Sequence, residues 1–393
     1  MWKLTKLKDL GKVTTGSTPS TLKPENFGRG YPFIKPPDLH EGRRKVFETE
    51  TEISVIGAQT QYSRLLPANT PCVVCIGTIG KLGLTTRPSF TNQQINSVIV
   101  DQEQHDPVFV YYLLKYSIPE VKQLNGGSAS GRENVNKSTF ENIEVRVPPL
   151  PVQQRIAGIL SAYDELIENS QRRIRILEEM ARNLYREWFV HFRFPGHENH
   201  PRVASPLGEI PQGWEVTNLG NVVEIKKGKN ITKKTIRPGD VPVVAGGVAP
   251  AYFHDTPNTK RPVITISASG ANAGYVNLYH IDVWASDCSY IDSSTTPHIY
   301  YIYLWLDHRR SEVTHLQRGS AQPHVYPKDL AQLEAIYVPE QVLNIFTAQV
   351  TPIFEMMESL TARMENLRRT RDLLLPRLLS GQVSLSDAVS EAI

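Results

Sequence analysis

The stretch Val147-Pro-Pro-Leu-Pro-Val-Gln-Gln-Arg-Ile-Ala157 begins the longest regular segment of this 393-residue chain. After its proline pair, apolar residues recur at steps of three and four for about 35 residues, which indicates one amphipathic helix. At about 1.5 Å per residue, such a helix is roughly 50 Å long. The apolar positions are Ile156, Leu160, Tyr163, Ile167, Ile174, Leu177, Ala181, Leu184 and Trp188.

The same apolar stripe returns 190 residues further along the chain. Its spacing is typical of a coiled coil, and two equivalent long helices favour packing on each other. We predict an antiparallel pair, because that arrangement relates the two copies by an approximate twofold axis, and we expect the polar Arg371 to help fix the register. The alternative is that each helix only covers the core of its own domain. The predicted helix–helix seam consists of Ile174, Leu177, Ala181, Leu184, Trp188, Leu360, Met364, Leu367, Leu374 and Leu378.

The sequence that precedes each long helix is also duplicated. Order and spacing are kept from the first copy to the second, which indicates a duplicated domain and not a short repeat. The matched segments are Trp2–Leu7 with Trp214–Leu219, Val73–Ile76 with Val263–Ile266, Tyr111–Leu113 with Tyr300–Ile302, Gly127–Ala129 with Gly319–Ala321, and Val145–Pro148 with Ile336–Pro339.

The pattern predicts an α+β fold with two tandem mixed α/β domains separated by two long helices packed as an antiparallel coiled coil. Short β-branched and aromatic runs, broken by Gly, Pro, Asn and Ser, indicate the strands of each domain. Each domain also has one helical piece, near 108–123 and near 300–316. The predicted segments are domain 1 (1–150), first long helix (151–193), linker (194–213), domain 2 (214–340), second long helix (341–383) and C-terminal tail (384–393).

Composition is that of a globular protein, with 40% hydrophobic and 21% charged residues. The net charge of +3 is spread thinly, since residues 1–150 carry +4, residues 151–197 carry +1, and residues 198–340 and 341–393 carry −1 each. Contact with a polyanion therefore has to come from local patches. Because the sequence has no long apolar run and no signal-peptide pattern, we expect no membrane association and a cytoplasmic location.

Motifs for chemistry are incomplete. The segment 77–83 resembles a phosphate loop but does not satisfy G-x-x-x-x-G-K-[ST], so a turn between two strands is expected. Neither double proline, at 36–37 or at 148–149, belongs to the Asp/Asn-Pro-Pro-Tyr/Phe motif of an adenine methyltransferase. The glutamates between residues 48 and 52 lack the Glu-x-Lys of a nuclease, and they are interpreted as a solvated strand or loop. We conclude that this chain has no catalytic residues and binds no cofactor.

Two residue pairs have a spacing that suits a metal. Cys72 and Cys75 could be redox-active or half of a zinc site, but no second cysteine pair exists, and buried strand thiols are the favoured interpretation. His197 and His200 lie in a Pro/Gly-containing loop without further ligands. We therefore predict no metal site.

Four motifs taken together carry a family resemblance. They are Trp2-x-x-x-x-Leu7 followed by Gly16-Ser-Thr-Pro19, Cys75-Ile-Gly-Thr-Ile-Gly80, Gly127-Ser-Ala-Ser-Gly131, and the segment 147–157 before the helix. In this order they resemble the specificity (S) subunit of type I restriction-modification systems, over nearly the whole chain. The second copy repeats the pattern more loosely, because Val338-Pro-Glu-Gln-Val-Leu343 lacks the double proline.

The resemblance implies two target-recognition domains, each of which reads one half of a bipartite double-stranded DNA site. The helices would form the spacer, and their length can hold two domains a DNA turn of about 34–36 Å or more apart. Modification subunits, which use S-adenosylmethionine to methylate adenine, would dock around the helices. Restriction subunits, which use ATP with Mg²⁺, would complete the assembly, so these cofactors belong to the partners.

Candidate DNA contacts follow from residue type. Lys and Arg suit phosphates, and Arg, Lys, Asn and Gln suit base edges in the major groove. The acid-free stretch 226–237 is the densest basic segment, although an ordinary solvated surface would have the same composition. The candidates are Arg43, Arg44, Lys45, Lys81, Asn92, Gln93, Gln94, Asn96 and Arg132 in domain 1, and Lys226, Lys227, Lys229, Lys233, Lys234 and Arg237 in domain 2.

Two other classes of function stay open from sequence alone. The chain could be a coiled-coil interaction scaffold without DNA recognition, and failure to bind DNA together with a modification partner would favour that class. It could also be a standalone nuclease or methyltransferase with unrecognised motifs. Activity of the purified chain alone would favour the enzyme.

Overall fold

The computed structural model describes residues 2–40, 42–123, 134–232, 234–319 and 323–382. The chain divides into two compact units: unit 1 comprises residues 1–171 and 363–393, and unit 2 comprises residues 172–362. Each unit therefore combines one globular domain with part of both long helices. This division crosses the linear segments predicted from sequence, because the helices pack on the domains along their length.

The strands of the described residues are short, as expected for runs broken by turn residues. They are β1 (Lys3–Lys6), β2 (Gly11–Thr15), β3 (Gly30–Ile34), β4 (Lys45–Val46), β5 (Glu52–Ser54), β6 (Pro71–Val74), β7 (Leu82–Thr85), β8 (Phe90–Thr91), β9 (Ile95–Val100), β10 (Glu144–Val147), β11 (Arg202–Ser205), β12 (Gly208–Pro211), β13 (Glu215–Asn218), β14 (Lys226–Lys227), β15 (Val241–Val244), β16 (Tyr252–His254), β17 (Val263–Ser267), β18 (Val276–Tyr279), β19 (Trp284–Ala285), β20 (Cys288–Asp292) and β21 (Glu334–Tyr337).

Two helices are much longer than the others. The helices are α1 (Val55–Gln59), α2 (Pro107–Gln123), α3 (Lys137–Glu141), α4 (Leu150–Tyr185), α5 (Leu219–Val222), α6 (Ile299–His308), α7 (Arg310–His315), α8 (Pro327–Leu330) and α9 (Glu340–Ser380). Short 3-10 turns lie at Leu7–Asp9, Pro24–Asn26, Pro36–Asp38, Tyr62–Arg64, His197–Asn199 and Gly270–Asn272.

The three sheets of unit 1 have counterparts in unit 2, which also contains the β11–β12 hairpin. In unit 1, β1 pairs with β10, five strands follow the order β2-β9-β6-β7-β4, and three follow β5-β3-β8. In unit 2, β13 pairs with β21, four strands follow β14-β20-β17-β18, and three follow β16-β15-β19. In both three-stranded sheets the central strand has one antiparallel and one parallel neighbour. The predicted fold class, two tandem mixed α/β domains with two long helices, is confirmed.

The register of the outer strand pairs follows the sequence duplication. Lys3 lies opposite Val147 in unit 1, and Glu215 lies opposite Tyr337 in unit 2. These residues are related by the offsets of 212 and 190 found in the sequence. The strand pair closes each domain just before a long helix begins.

The long helices end at recognisable signals. Helix α4 continues beyond Tyr185 as a π-helical turn, Arg186–Val190, so the last three residues of the predicted segment lie beyond it. Helix α9 ends at Ser380, and the following Gly381 has a φ of +73°, the left-handed conformation that glycine adopts after a helix. The predicted C-terminal tail, 384–393, lies outside the described residues. No helix of the described ranges has both the length and the apolar character needed to cross a membrane.

Within unit 2 the two long helices run antiparallel. The guanidinium of Arg173 is 3.9 Å from the sulfur of Met356, and the rings of Trp188 and Phe346 are 5.5 Å apart. As the residue number rises along α4, the residue number of the contacted side chain on α9 therefore falls. In unit 1, Asp164 of α4 contacts Arg371 of α9.

Each domain core is completed by both long helices. In unit 1, Leu160 of α4 and Leu378 of α9 belong to the cluster that contains Phe109 and Tyr112 of α2. In unit 2, Ala181 and Trp188 belong to the cluster of Phe346 and Tyr301, and all of these side chains are buried. The ten residues of the predicted seam are all buried or half-buried. The apolar stripe thus covers domain cores as well as the partner helix.

Candidate nucleic-acid interface

The basic residues predicted in domain 1 have different environments. Arg43 is exposed just before β4, and Lys45 is half-buried within that strand. Lys81 is exposed at the turn between β6 and β7, where its Nζ donates to the carbonyl oxygen of Pro36 at 3.2 Å. Arg132 lies outside the described residues. Arg43 and Lys81 are therefore the cations of this group that solvent reaches.

Arg44 differs from its neighbours because it is only 3% exposed. Its Nη1 donates to the Tyr112 hydroxyl at 3.4 Å and its Nη2 to Glu165 at 3.2 Å. Burial by itself would lower the pKa of Arg44. The nearby Tyr112, Asp164 and other acidic groups raise that pKa by more than burial lowers it, so the pKa of Arg44 is raised. The prediction that Arg44 contacts DNA does not fit this geometry. We reassign Arg44 to the contact between domain 1 and α4.

Asp164 connects three elements of unit 1. Its Oδ2 accepts from the Tyr112 hydroxyl at 2.6 Å, and its Oδ1 accepts from Nη1 of Arg371 in α9. Nε of Arg371 also donates to Asp372 at 2.9 Å. Asp164 is 5% and Arg371 is 7% exposed, so this pair is buried. The contact joins α4 to α9, and the role of Arg371 in fixing the register stays a prediction.

The amides predicted to read bases are mostly engaged within domain 1. Asn92 is 7% exposed, and its side chain bonds both the amide nitrogen and the side chain of Gln94. Asn96 is 3% exposed and accepts from the Thr15 hydroxyl at 2.7 Å. Gln93 is exposed, and its Oε1 accepts from the Thr18 hydroxyl at 2.7 Å. Asn92 and Asn96 therefore stabilise the β8–β9 turn and the sheet, and Gln93 is the one of these amides whose side chain is exposed.

The lysines of domain 2 separate into engaged and open side chains. Nζ of Lys226 donates to Ser294 at 3.1 Å and lies 3.7 Å from Asp292. Arg237 is 65% exposed but forms a 2.7 Å ion pair with Asp255. The remaining candidates with a described position are exposed and form no ion pair with a described residue, and Lys233 lies outside the described residues. These open side chains are Lys227, Lys229 and Lys234.

The cysteine and histidine pairs are structural. Cys72 and Cys75 belong to different core clusters, because three steps along an extended chain reverse the side-chain direction. Burial raises the pKa of Cys72 to about 12 and that of Cys75 to about 11, so both stay thiols. His197 and His200 each bond a backbone carbonyl oxygen at 2.8 Å. Among the described residues there is no group of three or more His, Cys, Asp or Glu side chains that could hold a metal ion.

Two glutamates at the start of β5 are engaged in ion pairs. Glu50 pairs with Lys35 at 2.9 Å, and Glu52 pairs with Arg87 at 2.7 Å. The hydrogen bond from the Gly30 amide is the main cause that lowers the pKa of Glu52. In the segment 77–83, residues 77–81 lie in the turn between β6 and β7, as predicted, and residues 82–83 begin β7.

Unit 1 contains a cavity that sequence analysis did not find. Its volume is about 680 Å³, and it brings Arg43, Arg44 and Lys81 of domain 1 together with Lys122 of α2 and Arg368 of α9. These residues are far apart in the sequence, since they range from position 43 to position 368. Only the packing of α9 on domain 1 makes them neighbours, so no local motif signals the cavity.

Comparison with known proteins gives a consistent family. The sequence profile of the type I restriction modification DNA specificity domain matches residues 1–179 and 211–370. The MjaIX type I restriction enzyme specificity subunit of Methanocaldococcus jannaschii is 28% identical over 410 residues, covering 98% of this chain and 94% of that protein. The HindI specificity subunit of Haemophilus influenzae is 38% identical over 186 residues, 45% of this chain and 39% of that protein.

A solved structure has the same fold. The type I restriction-modification S subunit from M. genitalium superposes with a TM-score of 0.68 and 18% identity over 96% of both chains. The profile matches both copies and most of the chain. This chain belongs to the family of type I restriction-modification DNA specificity proteins.

Proposed function

We propose that this chain is the DNA sequence-specificity subunit of a type I restriction-modification complex. Each domain reads one half of a bipartite DNA site, and α4 and α9 set the gap between the halves and dock the modification subunits. The observation that carries the proposal is the duplicated three-sheet domain, present twice in one chain of this family and followed each time by a long helix.

The proposal also states which partners bind this chain and which subunits hold the cofactors. Double-stranded DNA, modification subunits and restriction subunits bind this chain, which is non-catalytic, binds no cofactor and works in the cytoplasm. S-adenosylmethionine and ATP with Mg²⁺ are held by the partners. Family membership does not favour the interaction scaffold, because the matching profile describes a DNA specificity domain.

The DNA contacts that we propose are the side chains that stay open. Lys227, Lys229 and Lys234 would neutralise phosphates on domain 2, and Arg43 would do so on domain 1. Gln93 is exposed as well, and its amide would suit an adenine edge once its Oε1 exchanges the hydrogen bond from Thr18. Lys45, Lys81, Gln94, Lys226 and Arg237 are already hydrogen-bonded, ion-paired or half-buried, and they would have to exchange a contact.

Co-expression with the modification subunit encoded beside it tests the proposal. Methylated adenines are mapped across the host genome by long-read sequencing, and the modification subunit expressed alone is the control. One split motif with a fixed gap is expected. A stable complex that methylates no defined motif would count against DNA recognition and would favour the scaffold.

A further inference from the structure

We propose that the cavity of unit 1 binds a small phosphate-bearing anion. The cavity lies between domain 1 and the parts of α4 and α9 that belong to the same unit, and its lining includes Arg43, which we also propose as a contact for DNA phosphates. The ligand proposed here is a small anion other than DNA, and its binding does not depend on DNA recognition.

Charge is the first argument. Seven of the described lining side chains are Arg or Lys, and two are carboxylates, Asp164 and Asp372. Both carboxylates are already engaged by Arg371. Lys81, Lys122 and Arg368 form no ion pair with any residue that the structure describes. A cavity with uncompensated cations attracts anions, and Arg side chains favour phosphate through paired N–H donors.

Burial is the second argument. Arg44 lines the cavity and is 3% exposed, and its Nε has no hydrogen-bond partner among the described residues. The Nε atom itself is closed to solvent, so an anion in the cavity would stabilise the buried charge of the Arg44 guanidinium through its field and not by accepting from Nε.

Size decides the class of ligand. A volume of about 680 Å³ lies within the range of ligand pockets, roughly 300–1,000 Å³, and a DNA duplex is too wide to enter. Leu39, Ile79 and Ile118 give part of the lining an apolar character. The site therefore suits a free phosphate compound, although the phosphates of a DNA backbone share the same chemistry and could reach the cations from outside.

Titration of the full chain with inorganic pyrophosphate, followed by calorimetry in chloride buffer, tests the proposal. The test variant is Lys122→Gln/Arg368→Gln, because neither side chain forms an ion pair with a described residue. Lys12→Gln/Lys23→Gln removes the same charge from exposed positions of domain 1 outside the cavity lining and is the matched control. The unfolding temperature of each of the three proteins checks that it folds. If the double variant does not fold, Lys122→Gln alone is the test variant.

Pyrophosphate should bind the wild type and the control equally and raise their unfolding temperature. Affinity of the test variant should fall by about tenfold or more, because two charge-assisted contacts are lost. Equal affinity for all three proteins, or no measurable binding, would overturn the proposal. Binding to a DNA duplex is the second arm: unchanged duplex affinity in the test variant supports a free ligand. Loss of duplex affinity without pyrophosphate binding would assign the cations to the DNA backbone and overturn it.

Discussion

Asp164 holds the packing of unit 1 together, since it contacts α2 through Tyr112 and α9 through Arg371. Replacing it by alanine leaves a buried guanidinium without its partner. We expect Asp164→Ala to lower the free energy of unfolding by about 3–5 kcal/mol, measured by urea denaturation.

A double variant separates the ion pair from simple loss of packing. Asp164→Ala/Arg371→Met removes both charges and should be more stable than Asp164→Ala, because no buried charge is left unpaired. Glu141→Ala, which breaks an exposed ion pair with Lys137, is the control and should cost at most about 1 kcal/mol. A double variant as unstable as the single would contradict this interpretation of Asp164.

His280 makes unit 2 sensitive to acid. Burial lowers its pKa, and Glu358 at 3.8 Å offsets this only in part. Because the unfolded chain then binds more protons than the folded one, stability is complete above the ordinary histidine pKa of about 6.5 and falls as the pH drops below it.

The expected result is a steeper loss of stability with falling pH in the wild type than in His280→Gln. Denaturant unfolding at pH values of about 7.5 and about 5 measures the difference. His105 and His308, whose pKa values are also lowered by burial, contribute equally to both proteins. Identical pH dependence in the two proteins would show that His280 is not responsible.

The open lysines of domain 2 should contribute to DNA affinity by contacting phosphates, and they should not read the base sequence. Replacing Lys227, Lys229 and Lys234 together by alanine should weaken binding to target and non-target DNA by similar factors and reduce the salt dependence. Fluorescence anisotropy of the complex with the modification subunit over a range of salt concentrations measures this. A variant that loses affinity for one sequence only would instead make these residues base readers.

Among the elements, α9 depends on a few fully buried side chains. Phe346 is 0% exposed, and its ring lies 4.8 Å from that of Phe189 and 5.5 Å from that of Trp188. We expect Phe346→Ala to cost about 3–5 kcal/mol in a denaturation experiment. Leu373→Ala on the same helix is the control, because Leu373 is 56% exposed and its loss should cost under about 1 kcal/mol. Similar costs for both variants would contradict the assigned burial.

The elements also show where sequence reasoning succeeds and where it stops. The 3.6-residue period predicted both long helices to within a few residues, because one apolar face persists over many turns. The β11–β12 hairpin, in contrast, lies in the segment predicted as a linker. Its strands have four residues each and mostly exposed side chains, so they carry no burial pattern.

The candidate site was less predictable than the fold for a physical reason. Residue type identifies cations and amides, but burial decides which of them can meet a ligand. Arg43 and Arg44 are adjacent in sequence, yet one is exposed and the other is buried against Tyr112. Likewise Gln93 is exposed, whereas Asn92 is buried and Gln94 is half-buried. Tertiary packing gives such sequence neighbours different exposure, and no local sequence pattern predicts that difference.

At the scale of the whole molecule, unit 1 is built from two sequence-distant parts, whereas unit 2 is one continuous stretch, residues 172–362. Unit 1 takes its domain and the start of α4 from the first half of the chain and the end of α9 from the second half, and unit 2 takes the complementary parts. Neither domain core is complete without both helices. The helices therefore belong to the folding unit of both domains, and a domain exchange has to leave α4 and α9 in place.

Such an exchange tests the central claim, that each domain reads one half-site while the helices set the gap. Residues 214–339 are replaced by the second domain of a relative with a different target, and methylated adenines are mapped after co-expression with the modification subunit. We predict that one half of the motif changes, whereas the other half and the gap length stay the same. A change in both halves or in the gap, or an unchanged motif, would contradict the account.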